Sequence, residues 1–448
     1  MTKPKILFFA RGYQADLYPR LRDDRYDAVY VTLTRAEKAK VEAQGATVAA
    51  CFEADFDSLP VDPVPDDYLI TSYMSDRFLG RFGHAERVRI LGREIAFWRQ
   101  LLDAHRPIAV LNELVALEIS EVLLIEARRR DIRYLAPMPA PTEGRFYWLP
   151  NPISLSGRHL PKLTPSAEMR ALADTYVTQL KVKDWRPFYV RDLSGRRALK
   201  PFLVGLAKAA IWQLRALTAR NDGPFRYESY DEEYSKRVAV YLKGLWTKYD
   251  RIEDIPAEVE VFFYPLHQEP EATLLYLSEF YANQPALIEN IMRSLGPNQA
   301  LVVKEHPVDK GSLLRRKFLE LRDRYSSLYF VPAEVHGRQV LERSERVVTL
   351  TSTVGWEAAA IGKKVYVLGD IFFDSLPGVT RLSNINDLRR VLRDGTGADS
   401  RLEHDVLVDF IGSMLELSHR GNPFPHANWL EEPNTGLVRD AVAAGAGL

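Results

Sequence analysis

Val347–Gly369 reads VVTLTSTVGWEAAAIGKKVYVLG. An apolar run enters three hydroxyl residues, Thr351, Ser352 and Thr353. Gly355 and a short helical stretch follow, and a second apolar run closes the segment. Strand, polar turn, helix, strand is the repeating unit of a parallel α/β sheet. The spacing predicts strands at Val347–Leu350 and Lys364–Leu368 and a helix at Gly355–Ile361.

The same alternation extends outward. Ahead of the segment, strand patterns fall at Val261–Tyr264, Ala300–Lys304 and Leu328–Val331. Helical patterns fall at Glu271–Leu295 (one helix or two), Leu313–Tyr325 and Val340–Arg343. A second series occupies the first part of the chain. Its strands are Ile6–Ala10, Ala28–Leu33, Thr47–Cys51, Ile108–Leu111 and Tyr134–Ala136, and its helices Arg35–Gln44, Glu86–His105 and Leu117–Arg130. The expected fold is α/β: two Rossmann-like domains facing a cleft, the GT-B arrangement, with a helical insert between them. The expected boundaries are 1–150 for an acceptor-side domain, 151–257 for the insert and 258–448 for a nucleotide-sugar domain.

The insert is rich in Arg and Lys and lacks strand signals. Its Leu199–Thr218 stretch is amphipathic with cationic flanks. Two readings stay open: a helix packed on the core, which is preferred, and a helix resting on an anionic membrane. The small-residue tail Ala441–Leu448 is expected to fray.

Composition excludes several classes. The 60 basic and 60 acidic residues cancel, so a polyanion such as nucleic acid is not the expected main ligand. Cys51 is the single cysteine, which excludes a disulfide framework or a Cys-ligated metal within one chain. The opening MTKPKILFFARGY reads as a first strand and not a signal peptide, and no apolar run is long enough to span a bilayer. A cytoplasmic location is expected, with candidate contact at the inner face of the membrane through residues 199–218. Arg11–Gly12–Tyr13 after strand one is no dinucleotide fingerprint; a phosphate-binding P-loop and a serine nucleophile elbow are also absent.

Four stretches carry chemistry. In the opening segment, hydroxyls of Thr351, Ser352 and Thr353 beside Gly355 form a candidate phosphate site at a helix start. Glu357 shares a helix face with Thr353 and is placed to accept ribose hydroxyls. In LVVKEHP (Leu301–Pro307), a buried strand delivers Lys304, Glu305 and His306, and Pro307 stiffens the turn. Lys304 and His306 are read as donor-binding candidates, and His306 is the candidate to hydrogen-bond or protonate a leaving phosphate. In YPLHQEPEAT (Tyr264–Thr273), His267, Glu269 and Glu271 are read as cleft-lining or hinge residues; metal ligation is the lesser reading, and no metal or other cofactor is expected. In LNELVALEIS (Leu111–Ser120), Asn112 and Glu113 directly follow a strand, which makes Glu113 the candidate base. Glu118 lies inside the following helix and is the poorer choice. Asp76, Arg77, Glu143 and Arg145 follow other strand-like runs; contacts to acceptor or sugar groups are one reading, and surface ion pairs are the preferred one.

On the last three stretches and on TLTSTVGWEAAAIGKKVYVLGDIFFD (Thr349–Asp374), the chain resembles the capsular polysaccharide biosynthesis family. That family includes transferases of 3-deoxy-manno-octulosonic acid (Kdo) and shares a His-Pro plus Ser/Thr pattern with bacterial sialyltransferases. The resemblance covers Val259–Asp374 well and the first domain thinly. It implies a GT-B fold and a nucleotide-sugar donor, CMP-linked for Kdo or a related sugar. It also implies that His306 and Pro307 lie by the donor phosphate, and that Ser352 and Thr353 bind phosphate or the sugar carboxylate. The first domain lacks the Asp-Asp-Gly-like acid/base motif of the sialyltransferase relatives, and the insert has no match. The implied partners are the nucleotide sugar and a glycan or glycolipid acceptor. Three other functions fit the same residues: a sugar-nucleotide 2-epimerase, a polyol-phosphate transferase using a CDP-linked donor, and a non-catalytic assembly or export protein.

Overall fold

Ile6–Phe9 and Val261–Tyr264 are fully buried, as unbroken apolar runs must be when helices cover both faces of a sheet. They are the founding strands of two parallel sheets in a computed structural model that describes residues 3–68, 70–76, 79–182, 207, 210, 249–269, 271–307, 309–394 and 402–448.

The first sheet contains β1 (Lys5–Phe9), β2 (Asp27–Thr32), β3 (Val48–Cys51), β4 (Ala109–Leu111) and β5 (Arg133–Leu135), in the order β3-β2-β1-β4-β5. After it come β6 (Pro137–Pro139) and β7 (Arg145–Trp148). The second sheet contains β8 (Glu260–Pro265), β9 (Gln299–Lys304), β10 (Leu328–Val331), β11 (Arg346–Thr349), β12 (Lys364–Val367) and β13 (Val379–Arg381). Its order is β10-β9-β8-β11-β12-β13. Both are doubly wound: the chain builds outward from the founding strand on one side, then returns to its other side. The reversal lies between β1 and β4 in the first sheet and between β8 and β11 in the second. The two Rossmann-like series expected from the sequence are present.

The chain divides into two compact units. Unit 1 holds residues 1–155, 159–173 and 411–448; unit 2 holds 156–158 and 174–410. The expected division therefore differs at its far end, because residues 411–448 join the first sheet's unit and not the second's. The expected frayed tail is a correction of the same kind. Asn434–Ala446 is a helix, and its Ala441, Val442, Ala443 and Ala446 are buried in the core around β1 and β4. A Cβ at Gly445 would come within 2.8 Å of Trp148 Nε1, so small residues here mark close packing. The same end of the chain supplies β14 (His419–Arg420), which joins β7 and β6 in a short antiparallel sheet that period-based reading missed.

In the sequence between β7 and β8, the described residues include a helix at Ala167–Leu180. The Leu199–Thr218 stretch lies outside the described residues except Ala207 and Ala210, as does Arg77. Among the described residues no helix is long and apolar enough to cross a membrane.

Candidate functional site

Three strand ends meet at the reversal of the second sheet. After β8 the chain turns into His267, whose Nε2 accepts the backbone N–H of Thr351 at 3.2 Å, just beyond β11. The loop is held by Gln284, a fully buried side chain. Its Oε1 accepts from His267 N at 2.8 Å and its Nε2 donates to His267 O at 3.0 Å and Glu269 Oε1 at 2.8 Å. Arg315 then bridges Glu269 (2.7 Å) and Asp309 (3.2 Å). Gln284 and Arg315 are site-supporting residues that sequence reading missed. A glutamine at a helix start gives no sign of a backbone partner 17 residues earlier.

His267 Nδ1 is buried and has no hydrogen-bond partner among the described residues. Burial pushes this imidazole down to about 3, and the neighbouring His306 adds to the effect. His306 itself is pushed down to about 4, first by burial and then by the Lys304 cation. The ends of β8 and β9 thus carry two imidazoles, both lowered by burial and close enough for His306 to influence His267. Lys304 does not join them: it is 6% exposed, and its ammonium donates to the carbonyls of Glu305 (3.1 Å) and Ala333 (3.3 Å). Burial lowers its pKa to about 8. Glu305 is also turned inward, accepting from Tyr249 Oη at 2.7 Å and Leu313 N at 3.0 Å. Pro307 follows His306 and is half-buried.

At the end of β11, Thr351 is buried and its Oγ1 lacks a hydrogen-bond partner among the described residues. Ser352 N donates to Thr349 Oγ1 at 3.2 Å, and Ser352 Oγ accepts from Val354 N at 3.3 Å. Gly355 N donates to Ser352 O at 3.0 Å. Ser352, and not the helix-preceding Thr353, therefore makes the side-chain contact to the start of the helix Val354–Ala360. Gly355 has a packing role, since a Cβ there would lie 2.7 Å from the Phe373 ring. Glu357 is half-buried beside Arg338, and burial raises its carboxyl to about 7. Glu271 is a half-buried residue preceding the short helix Ala272–Leu275. Among the described residues, no three His, Cys, Asp or Glu side chains are grouped to hold a metal.

In unit 1, Glu113 sits after β4 and is ion-paired to Arg11, which follows β1. Gln14 Nε2 lies 3.4 Å from the same carboxylate. Asn112 is buried, with Nδ2 donating to Tyr134 Oη at 2.7 Å. Glu118 is fully enclosed, paired to Arg87 at 2.5 Å, and burial raises its carboxyl to about 8. Asp76 corrects the expected surface ion pair: it is buried and accepts from Glu118 N at 3.0 Å and Leu79 N at 2.9 Å. Arg145 donates to Ser418 Oγ at 2.7 Å, and Glu143 is exposed.

Residues 224–405 match the family described as Capsule polysaccharide biosynthesis protein, a span that includes His267, His306, the Thr351–Thr353 turn and Glu357. That segment is of the capsule-biosynthesis family. Solved structures similar to this chain include KpsC from Thermosulfurimonas dismutans, described as a β-Kdo 2,7 transferase. It is 12% identical, covering 78% of this chain and 88% of that one, with a TM-score of 0.35. A second, the same organism's KpsC as β-Kdo 2,4 transferase, is 14% identical over 75% and 87%, with a TM-score of 0.31. The UDP-GlcNAc 2-epimerase of Neisseria meningitidis, bound to UDP-GlcNAc, is 10% identical over 98% and 100%, with a TM-score of 0.29. No curated protein matches by sequence.

Proposed function

We propose that this capsule-family protein is a glycosyltransferase moving a sugar from a nucleotide-activated donor, CMP-Kdo or a related CMP-sugar, to a capsular polysaccharide or its lipid-linked precursor. One observation carries the reading: His267, His306 and Thr351 meet at the reversal of the second sheet, inside the family-matched segment. Crevices at such reversals are where nucleotides lie in doubly wound folds.

In this reading His306 binds a donor phosphate oxygen. An imidazole held near pKa 4 is neutral at physiological pH, so it starts as a hydrogen-bond donor and not as a proton source. An arriving phosphate anion favours its protonated form, which moves it toward acid catalysis as the leaving group gains charge. Ser352 and Thr353 offer hydroxyls to the phosphate or the sugar carboxylate, and Glu357 accepts the ribose hydroxyls. Lys304 acts as a buried strut behind them. Glu113 is the candidate base for the acceptor hydroxyl, and it must release Arg11 to act.

A thermal-shift panel with CMP, CDP, UDP, GDP and dTDP tests the donor. A cytidine nucleotide at about 100 times its Kd should stabilise the fold by about 2.7 kcal/mol. A response to no nucleotide, or to uridine nucleotides alone, overturns the donor assignment. Conversion of a donor sugar with no acceptor present would replace transfer with epimerisation.

A further inference from the structure

His306 and the Thr351–Thr353 turn stand on different loops of the second sheet, and a path of hydrogen bonds joins them. It starts at Thr351, whose backbone N–H donates to His267 Nε2 at 3.2 Å. Gln284 grips both backbone groups of His267 and donates to Glu269 Oε1 at 2.8 Å. The other oxygen of Glu269 accepts from Arg315 Nη1 at 2.7 Å. Arg315 Nη2 donates to Asp309 Oδ2 at 3.2 Å. Asp309 N then donates to His306 O at 3.0 Å. One guanidinium closes the path.

Arginine suits this place for a geometric reason. Its planar fork holds two carboxylates in set directions, whereas an ammonium is a single point of charge. The fork also has a firm base. Arg315 immediately precedes the helix Arg316–Arg324, whose Phe318 and Leu321 are buried in the core of the second sheet. The Arg315 side chain is 36% exposed and that of Glu269 28%. An ion pair this open to water adds little stability, so what it supplies is fixed spacing between loops. A phosphate gripped from two loops depends on that spacing, since a misplacement of about 1 Å can cost about 10²-fold in rate.

We propose that Arg315 is a positioning residue, whose guanidinium sets the His306 loop against the Thr351–Thr353 turn. It acts through Asp309 on one side and through Glu269, Gln284 and His267 on the other. The role rests on the donor-site reading only where it touches catalysis. The spacing itself needs no nucleotide, so the nucleotide panel and the following test fail independently.

The test is amide hydrogen exchange, read by mass spectrometry on the full chain without nucleotide. Arg315→Ala and Arg315→Lys should each speed exchange about threefold or more at 309–314 and also at 349–355, a turn that Arg315 does not touch. The strand β12 should exchange at the wild-type rate, and Tm should stay near wild type. Millimolar methylguanidinium should restore protection at 349–355 in Arg315→Ala, and ammonium at the same concentration should not, because only the fork spans both carboxylates. A cation that served stability alone would be replaced equally by either. In the transfer assay Arg315→Lys should lower kcat about tenfold. The proposal is overturned if exchange at 349–355 is unchanged in both variants, if it rises together with that of β12, or if ammonium restores it as well. Wild-type kcat in a variant with a loosened turn would also overturn it. A loosened turn in a chain that binds no nucleotide would keep the spacing role and sink the donor assignment instead.

Discussion

The two sheets reverse their strand order at equivalent places but put different chemistry there. Between β8 and β11 lie neutral imidazoles and hydroxyls, sealed enough that burial dominates every titration. Between β1 and β4 lies an ion pair, Arg11–Glu113, with amides and phenols nearby. The lesson is that topology fixes where a ligand can sit and leaves its charge to the residues after the strands. A site of neutral imidazoles can respond to an arriving anion by taking up a proton. A pre-formed ion pair offers hydrogen bonds without that response.

Substitutions at each reversal put this contrast to the test, and the largest effect belongs to the second unit. His306→Ala should reduce transfer by a factor of about 10²–10⁴ while leaving Tm nearly unchanged, measured by product formation against thermal unfolding. Near-normal turnover would remove the imidazole from the mechanism. Next is Glu113→Gln. If the carboxylate is the base, turnover should fall by about 10²-fold or more with donor-induced stabilisation retained. A loss of nucleotide response in that variant would make the first reversal part of the donor site and erase the contrast.

Stability effects come third. Gly355→Ala places a methyl against Phe373 and should cost about 1–3 kcal/mol, read as a lower urea midpoint. An unchanged midpoint would mean the ring moves aside freely. The smallest effect is in pH dependence. His306 falls from an ordinary 6.5 to about 4 in the fold, so the unfolded chain holds more protons between those values. Its contribution to stability is full above pH 6.5 and is lost as pH falls toward 4, at no more than about 1.4 kcal/mol per pH unit. His306→Ala should therefore show a flatter acid limb than wild type. Glu357 has the opposite sign: raised to about 7, its contribution is full below pH 4.5 and is lost as pH rises through 7. Glu357→Gln should gain stability relative to wild type at pH 8.

The strands were legible because a buried parallel strand must be an unbroken apolar run, and the runs at Ile6, Val261, Ala300 and Val347 have no other reading. The strand-end residues followed from that: His267, His306 and the Thr351–Thr353 turn were placed by position alone. What could not be read was direction and partnership. Lys304 looked like a phosphate ligand because it ends a strand, but alternation turns it into the interior, onto backbone carbonyls. Gly355 looked like room for a ligand, and it is room for Phe373. Gln284 and Arg315 carry no local pattern, since their partners are set by how loops fold back. The tail was misread for a related reason: small residues mean looseness in a free end and tight contact in a packed helix.

That last helix has a consequence for how the molecule is made. Val438, Ala441, Val442 and Ala446 complete the core that β1 begins, more than 400 residues earlier. During synthesis the second sheet can assemble as soon as its own strands emerge. The first must wait, its inner surface uncovered, until residues 434–446 have been made.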